Sequence, residues 1–227
     1  MSLEFSLTDS LSLNDLRVYL GRAGRVEDGS VRLIADGSVL AVYVAVFYPS
    51  GLLDQSPTVL GLRTFELSTP VAFDVVVPVR SLLERLERLA RLDGDPERPE
   101  DAPVVVSVPM QVYTVTWAAI SPPRGGWKSL DPTRSSVLEP VAKAGIDEVA
   151  QAIPTGTGEQ IVHRVRAEVW GRPIPGLEHV PAGGAFAALS LGFLSDQVRI
   201  FETGPWTRLS TERGHVLIKR KAWSLLG

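Results

Sequence analysis

Residues 31–77 carry strand patterning almost without interruption, and a helical stripe lies on either side of them. Leu13, Leu16, Leu20 and Ala23 recur at helical spacing, as do Leu82, Leu83, Leu86, Leu89 and Ala90. Between them, Val31–Ala35, Val39–Tyr48, Val59–Leu67 and Val71–Val77 are apolar runs rich in β-branched residues, and Asp36-Gly37, Pro49-Ser50-Gly51 and Ser68-Thr69-Pro70 read as breaks. Asp36-Gly37 in particular is a hairpin signal. One-sided helices flanking several strands bury their apolar stripes by lying on a sheet. Val39–Tyr48 is apolar on both faces and is expected to be central. Ser12, with Asp15 three residues on, is expected to cap the first helix, and Gly24 to end it. The second helix is predicted from Pro78 to about Leu92, with Arg80–Glu84, Glu84–Arg88 and Glu87–Arg91 pairs on its outer face. Asp93–Pro103 reads as a polar loop whose carboxylates are solvated charge, and Val104–Val108 and Gln111–Ile120 return to strand.

The second half has a different pattern. Asp131 and Pro132 look like a helix start, followed by apolar positions Leu138, Val141, Ala142, Gly145, Val149 and Ile153, with Pro140 in the first turn or at a kink. Thr157 and Gln160 have capping-box spacing, and Ile161, Val165 and Val169 mark the core side of the helix they open. Pro173–Gly184 reads as a loop, and Ala185–Leu194, apolar all round, as a buried helix. Val198–Thr203, Trp206–Thr211 and Val216–Lys219 alternate as a meander with turns at Gly204-Pro205 and Arg213-Gly214. The expected class is α+β. An antiparallel sheet lobe with two covering helices, residues 1–120, precedes a helix-rich, Trp-containing lobe, residues 121–227, ending in a short antiparallel meander. Packing of both as one domain is the alternative.

Charge divides along the same line. The net charge is −3, but residues 1–120 hold sixteen acidic and ten basic side chains, and residues 121–227 hold ten acidic and thirteen basic. The overall balance argues against a nucleic-acid protein dominated by basic surface, and the opposed halves favour contact between lobes or self-association. Absence of cysteine excludes disulfides, thiolate metal sites and cysteine nucleophiles. Arg dominates over four Lys, and Asn14 is the sole Asn, a bias expected of a high-GC bacterial genome. No basic region precedes an apolar run at the start, and Val180–Leu194 is shorter than the roughly 20 residues of a spanning helix. A cytoplasmic location without membrane insertion is expected.

The element order of the first half, β-α-β-β-β and then β-α-β-β, resembles one domain of a sliding DNA clamp. That resemblance implies a ring-like, DNA-associated assembly. The mixed charge on the second helix and the different second half depart from it. Arg124-Gly125-Gly126-Trp127, Val169-Trp170-Gly171-Arg172, Ala185-Phe186-Ala187-Ala188 and Trp206-Thr207-Arg208-Leu209-Ser210-Thr211 are similar to phrases of an uncharacterised family of high-GC bacteria, which implies no activity.

Candidate chemistry is sparse. Arg124, held between Pro122-Pro123 and Gly125-Gly126, could grip a carboxylate or phosphate with Trp127 as a stacking wall. Trp170 and His179 join them as residues for a pocket between the lobes. Thr155-Gly156-Thr157-Gly158 precedes a helix but lacks the Gly-Lys-Ser/Thr ending of a phosphate loop, so capping explains it. His163, His179 and His215 lack metal-motif spacing, and no Gly-x-Ser-x-Gly elbow occurs. Arg208, Arg213, Lys219, Arg220 and Lys221, with Trp206 and Trp223, make a basic tail that single-stranded nucleic acid could use, though pairing with acidic surface is the simpler account. No metal and no cofactor is expected. The leading expectation is a non-enzymatic binding or interaction protein with a protein partner or a second copy. A small-ligand protein or enzyme with an interlobe pocket is the alternative, and clamp-like DNA association the second.

Overall fold

Asp9, not Ser12, starts the first helix. In the computed structural model, which describes residues 3–27, 29–51, 54–92, 99, 101–154 and 156–220, α1 spans Ser10–Val26 and the Asp9 carboxylate accepts from the Ser12 amide at 2.7 Å. That bond holds the Asp9 carboxyl below its ordinary range. Asp15, the expected capping partner, instead pairs with Arg63, and the helix runs past Gly24 to Val26. The chain forms two units, Met1–Ala45 with Leu62–Ile120, and Val46–Gly61 with Ser121–Gly227.

The first unit contains β1 (Glu4–Leu7), most of β2 (Ser30–Phe47) and β3 (Thr58–Pro78), α2 (Val79–Leu92) and β4 (Val104–Ser107). β1 pairs antiparallel with β4 from Glu4↔Ser107 to Leu7↔Val104 and with β3 at Leu7↔Leu67, and β2 also pairs with β3. Leu13, Leu16, Leu20, Leu33, Leu82 and Leu86 are fully buried, so the two stripes face the core as their spacing requires. Tyr19 joins them, its hydroxyl donating to Val42 O at 3.3 Å, and burial pushes its phenol up. Strand conformation continues through both Asp36-Gly37 and Ser68-Thr69-Pro70. Gly37 has φ 65, which a glycine adopts without penalty, and residues 36–39 are exposed. Across them the buried positions change from Val31, Leu33 and Ala35 to Leu40, Val42 and Val44, a one-residue change of phase. Gln111–Ile120 is not a strand. Val112 N donates to Val76 O, but the segment then closes a 3-10 turn, Thr116–Ala119, that buries Trp117.

The second unit contains β5 (Lys128–Arg134), α3 (Ser135–Ala152), α4 (Glu159–Gly171), the hairpin β6 (Pro173–Ile174) and β7 (Leu177–Pro181), α5 (Ala182–Ser190), β8 (Gln197–Thr203), β9 (Trp206–Thr211) and β10 (Gly214–Lys219). Asp131 and Pro132 do not cap a helix. They sit inside β5, where the register with β8 shifts between Leu130 and Thr133, so a bulge absorbs the proline that has no N–H to offer. Gly158 is the N-cap of α4, while Thr157 turns its hydroxyl back to Pro154 O, so the capping box does not form. The expected loop at 173–184 contains the β6–β7 hairpin, turned at Gly176 with φ 79. The meander forms as the alternation requires, β8–β9–β10, widened by β5 beyond β8 and bordered by β3 beyond β10. Its inner side, Val198, Ile200, Leu209, Val216 and Ile218, is buried. Gly184 lets α5 approach that side: a Cβ there would stand 2.6 Å from Ile218 Cδ1.

The acidic pairs Asp93/Asp95 and Glu100/Asp101, apart from Asp101, lie outside the described residues, as do Thr155, Lys221 and Trp223. No helix among the described residues is long and apolar enough to cross a membrane.

Candidate functional site

The outer face of the meander gathers positive charge in a line. Side chains alternate between faces along a strand, so register decides which residues are neighbours. Arg134 on β5 lies opposite Gln197. Arg199, two residues further along β8, lies opposite Ser210 of β9. Arg208, two residues before Ser210, lies opposite Leu217 of β10, and Lys219 is two residues beyond Leu217. The four cations therefore occupy one face, one per strand, each a single diagonal step from the last. Diagonal neighbours on a sheet are about 7–8 Å apart. The remaining registered positions of this face are Ser129, Gln197, Phe201, Thr203, Trp206, Ser210, His215 and Leu217, of which Trp206, Ser210 and Leu217 are buried. None is a carboxylate.

Arg208 is the centre of the line and the most constrained. Its guanidinium lies 4.4 Å from the Phe201 ring centroid and 4.6 Å from that of Trp127, so two aromatic rings pack against it. Trp127 is fixed by its own N–H, which donates to Pro123 O at 3.1 Å, and by the preceding Gly126, whose φ of 76 turns the chain into β5. Arg208 Nε is buried without a hydrogen-bond partner among the described residues. Burial first, and the charge of Arg199 second, lower the Arg208 pKa. Arg199 itself sits 6.0 Å from the Phe201 centroid. His215 hydrogen-bonds through Nδ1 to Ser210 Oγ at 2.9 Å, and burial, then Arg208, then Arg199 hold it below the ordinary histidine range. The face thus presents a guanidinium packed against two rings, with no carboxylate on its donors among the described residues.

A second polar cluster belongs to the same unit. Asp54 accepts from the Ser50 and Ser56 amides at 2.8 and 2.9 Å, from both of their hydroxyls, and meets His163 Nε2 at 2.5 Å. Phe47 stacks on His163 at 5.7 Å, and Arg166 lies 6.0 Å from Phe47. Although burial opposes it, the combined hydrogen bonds from Ser56, Ser50 and His163 hold the Asp54 carboxyl far below the usual carboxylate range. A cleft of about 510 Å³ lies beside it, lined by Gln160, Arg164 and Pro57 among others. These Asp54 bonds are internal, and they fasten Ser50, Asp54 and Ser56 to His163 of α4.

The residues singled out from the sequence separate. Trp127 lines the cationic face, but the guanidinium over it is that of Arg208; Arg124 is exposed on the preceding loop. Trp170 is a core residue, 2% exposed, stacked on Phe186 at 4.2 Å and pressed against Gly145, where a Cβ would stand 2.3 Å from its ring. His179 lies on β7; its carbonyl accepts from Thr207 Oγ1, and its Nε2 is buried without a partner among the described residues. No group of three His, Asp or Glu able to hold a metal occurs among the described residues. Arg134 and Arg199 escaped the sequence reading because each stands alone in its own strand. Arg134 in addition falls where a helix start is expected, so only the observed register with β8 aligns it.

Residues 1–106 match the model of a Domain of unknown function (DUF8010), and residues 122–223 match that of a second Domain of unknown function (DUF8185). No curated protein matches the chain. Among solved structures, the DNA polymerase sliding clamp of Caulobacter crescentus is similar at 13% identity and a TM-score of 0.48, covering 99% of this chain and 67% of its own. The DNA polymerase III subunit beta of Pseudomonas aeruginosa is similar at 14% identity and a TM-score of 0.48, covering 98% and 66%. The sliding clamp of Bartonella birtlesii, solved with griselimycin, is similar at 14% and 0.48, covering 100% and 67%.

Proposed function

We propose that this is a non-enzymatic binding protein whose second unit takes an acidic polypeptide segment on the outer face of β5, β8, β9 and β10. The observation that carries this reading is the diagonal Arg134–Arg199–Arg208–Lys219 on a face whose registered positions hold no carboxylate. In an extended chain, side chains at i and i+2 point the same way about 6.6–6.8 Å apart, close to the diagonal step on the sheet. Alternate carboxylates would therefore meet successive cations. Arginine offers its donors in the plane of the guanidinium, the geometry a carboxylate accepts in pairs.

Carboxylate is favoured over nucleic acid by the use made of the aromatic rings. Base binding needs open ring faces. Here Phe201 has guanidinium groups within 4.4 and 6.0 Å, and Trp127 has one within 4.6 Å.

Fluorescence anisotropy with a labelled alternating Asp-Gly peptide, against labelled oligo-dT, tests the proposal. The peptide is expected to bind, to weaken as salt rises, and to lose about tenfold in affinity in Arg208→Ala, the loss of roughly one charge-assisted hydrogen bond. Failure of the peptide to bind at low salt, or tighter binding of oligo-dT, overturns it.

A further inference from the structure

The same chain contains a segment of the required chemistry. Residues 93–101 read Asp-Gly-Asp-Pro-Glu-Arg-Pro-Glu-Asp, five carboxylates against one arginine. Asp93, Asp95 and Glu97 alternate, so an extended backbone would carry them on one side with the two-residue repeat set out above. Nine extended residues reach at most about 30 Å, and the three diagonal steps from Arg134 to Lys219 add to about 24 Å. Pro96 and Pro99 favour extended backbone at the residues that precede them, Asp95 and Arg98. The segment follows α2 and precedes β4, elements of the first unit that Arg85 links by donating to Ser107 Oγ at 2.7 Å. It is thus tied to the first unit at both ends, and the cationic face belongs to the second.

We propose that the acidic partner is a second copy of this chain: residues 93–101 of one molecule dock along Arg134, Arg199, Arg208 and Lys219 of another. This deepens the binding reading above and rests on it. Each copy carries one acidic segment and one cationic face, and the two surfaces differ. Their association is therefore head-to-tail, leaving a free segment at one end and a free face at the other unless the assembly closes on itself.

Analytical ultracentrifugation of the full chain and two variants decides it. One variant removes face charge, Arg199→Ala with Arg208→Ala. The other neutralises the segment, Asp93→Asn, Asp95→Asn and Glu97→Gln. The wild type is expected to associate with rising concentration at low salt and to dissociate at high salt. Each variant alone should weaken association at least tenfold. An equimolar mixture should restore a species of two chains and no larger, because each variant keeps the half that the other lacks. A wild type that stays monomeric at several hundred micromolar in low salt, or a mixture that stays monomeric, overturns the proposal. Titrating the labelled Asp-Gly peptide into the same samples separates the two failures. Peptide binding without self-association keeps the acidic-partner reading and rejects the second copy. Peptide that binds the segment variant more tightly than a monomeric wild type places the segment on its own face and also rejects the second copy. Peptide that binds none of the three rejects the underlying reading. Unchanged circular dichroism and melting temperature in both variants tie any loss to the surfaces themselves.

Discussion

Arg32 in the first unit and Arg208 in the second are both half-buried arginines on strands, and their surroundings are opposite. Arg32 donates from Nε and Nη2 to the two oxygens of Asp74 at 2.8 and 2.6 Å and from Nη1 to Ala118 O at 2.7 Å. The hydrogen bond to Asp74 is the main reason its pKa is raised. Arg208 has the Phe201 and Trp127 rings packed against it and no carboxylate among the described residues, and its pKa is lowered. A guanidinium has apolar faces and a polar rim. At Arg32 the fold satisfies the rim, which makes it a structural residue. At Arg208 two rings pack against the guanidinium and Nε is buried, and among the described residues no carboxylate meets the remaining donors, which are left for a group from outside.

The largest expected effect separates these roles directly. Arg32→Ala should lower unfolding free energy by about 1–3 kcal/mol, the range for removing charge-assisted hydrogen bonds, and leave peptide affinity unchanged. Arg208→Ala should do the reverse, with affinity down about tenfold and the thermal midpoint almost unmoved. Calorimetry and anisotropy on both variants check the pair, and an Arg208→Ala protein that melts early but still binds would break the contrast. Next in size is a transplant of the Asp74 arrangement. Ser129 lies in the cross-strand row of Phe201 and Arg208, so Ser129→Glu supplies an internal carboxylate. Acidic peptide affinity should fall about fivefold, near 1 kcal/mol. Phe201→Leu removes one supporting ring and should weaken binding about twofold to threefold, within the range of one exposed cation–π contact.

The smallest effect is in titration. His215 has a folded pKa below its ordinary value of 6.5. Its neutral form stabilises the fold fully above that value, and the contribution is lost as pH falls through 6.5 toward the folded value. In Arg208→Ala or Arg199→Ala the shift should shrink and the loss of stability on acidification become shallower. NMR titration of the His215 ring measures this. A titration unchanged in both variants would mean that the two arginines do not act on it.

The helices α1, α2 and α5 and the meander were legible because their signals are local: leucines at helical spacing, an apolar run with glycines, strands with turn residues between them. Asp131-Pro132 misled because Pro at a helix start and Pro at a strand bulge look alike until β8 is alongside. Asp9 was missed because Ser12 offered an equally good cap, and only geometry shows which side chain reaches a free amide. The binding face was legible in part. Arg208 and Lys219 stood out as a basic tail, and Trp127 as a wall, but the diagonal exists only when four registers are combined. Trp170 was expected in a pocket between the lobes, and the space left by Gly145 instead gives it a place in the core.

The sharing of β2 and β3 between the units bears on how this protein can be divided, in the laboratory or by evolution. Residues 46–61 belong to the second unit yet lie within the first half of the chain. A gene cut at residue 120 would give a carboxy-terminal fragment without Asp54 and Phe47, the residues that hold His163, and without β3 beside β10. That fragment would present β10 as a bare, apolar edge, a template for aggregation. Its amino-terminal counterpart would carry residues 46–61 without the rest of their unit. An exchange of one half without the other would therefore have to rebuild two strands at once.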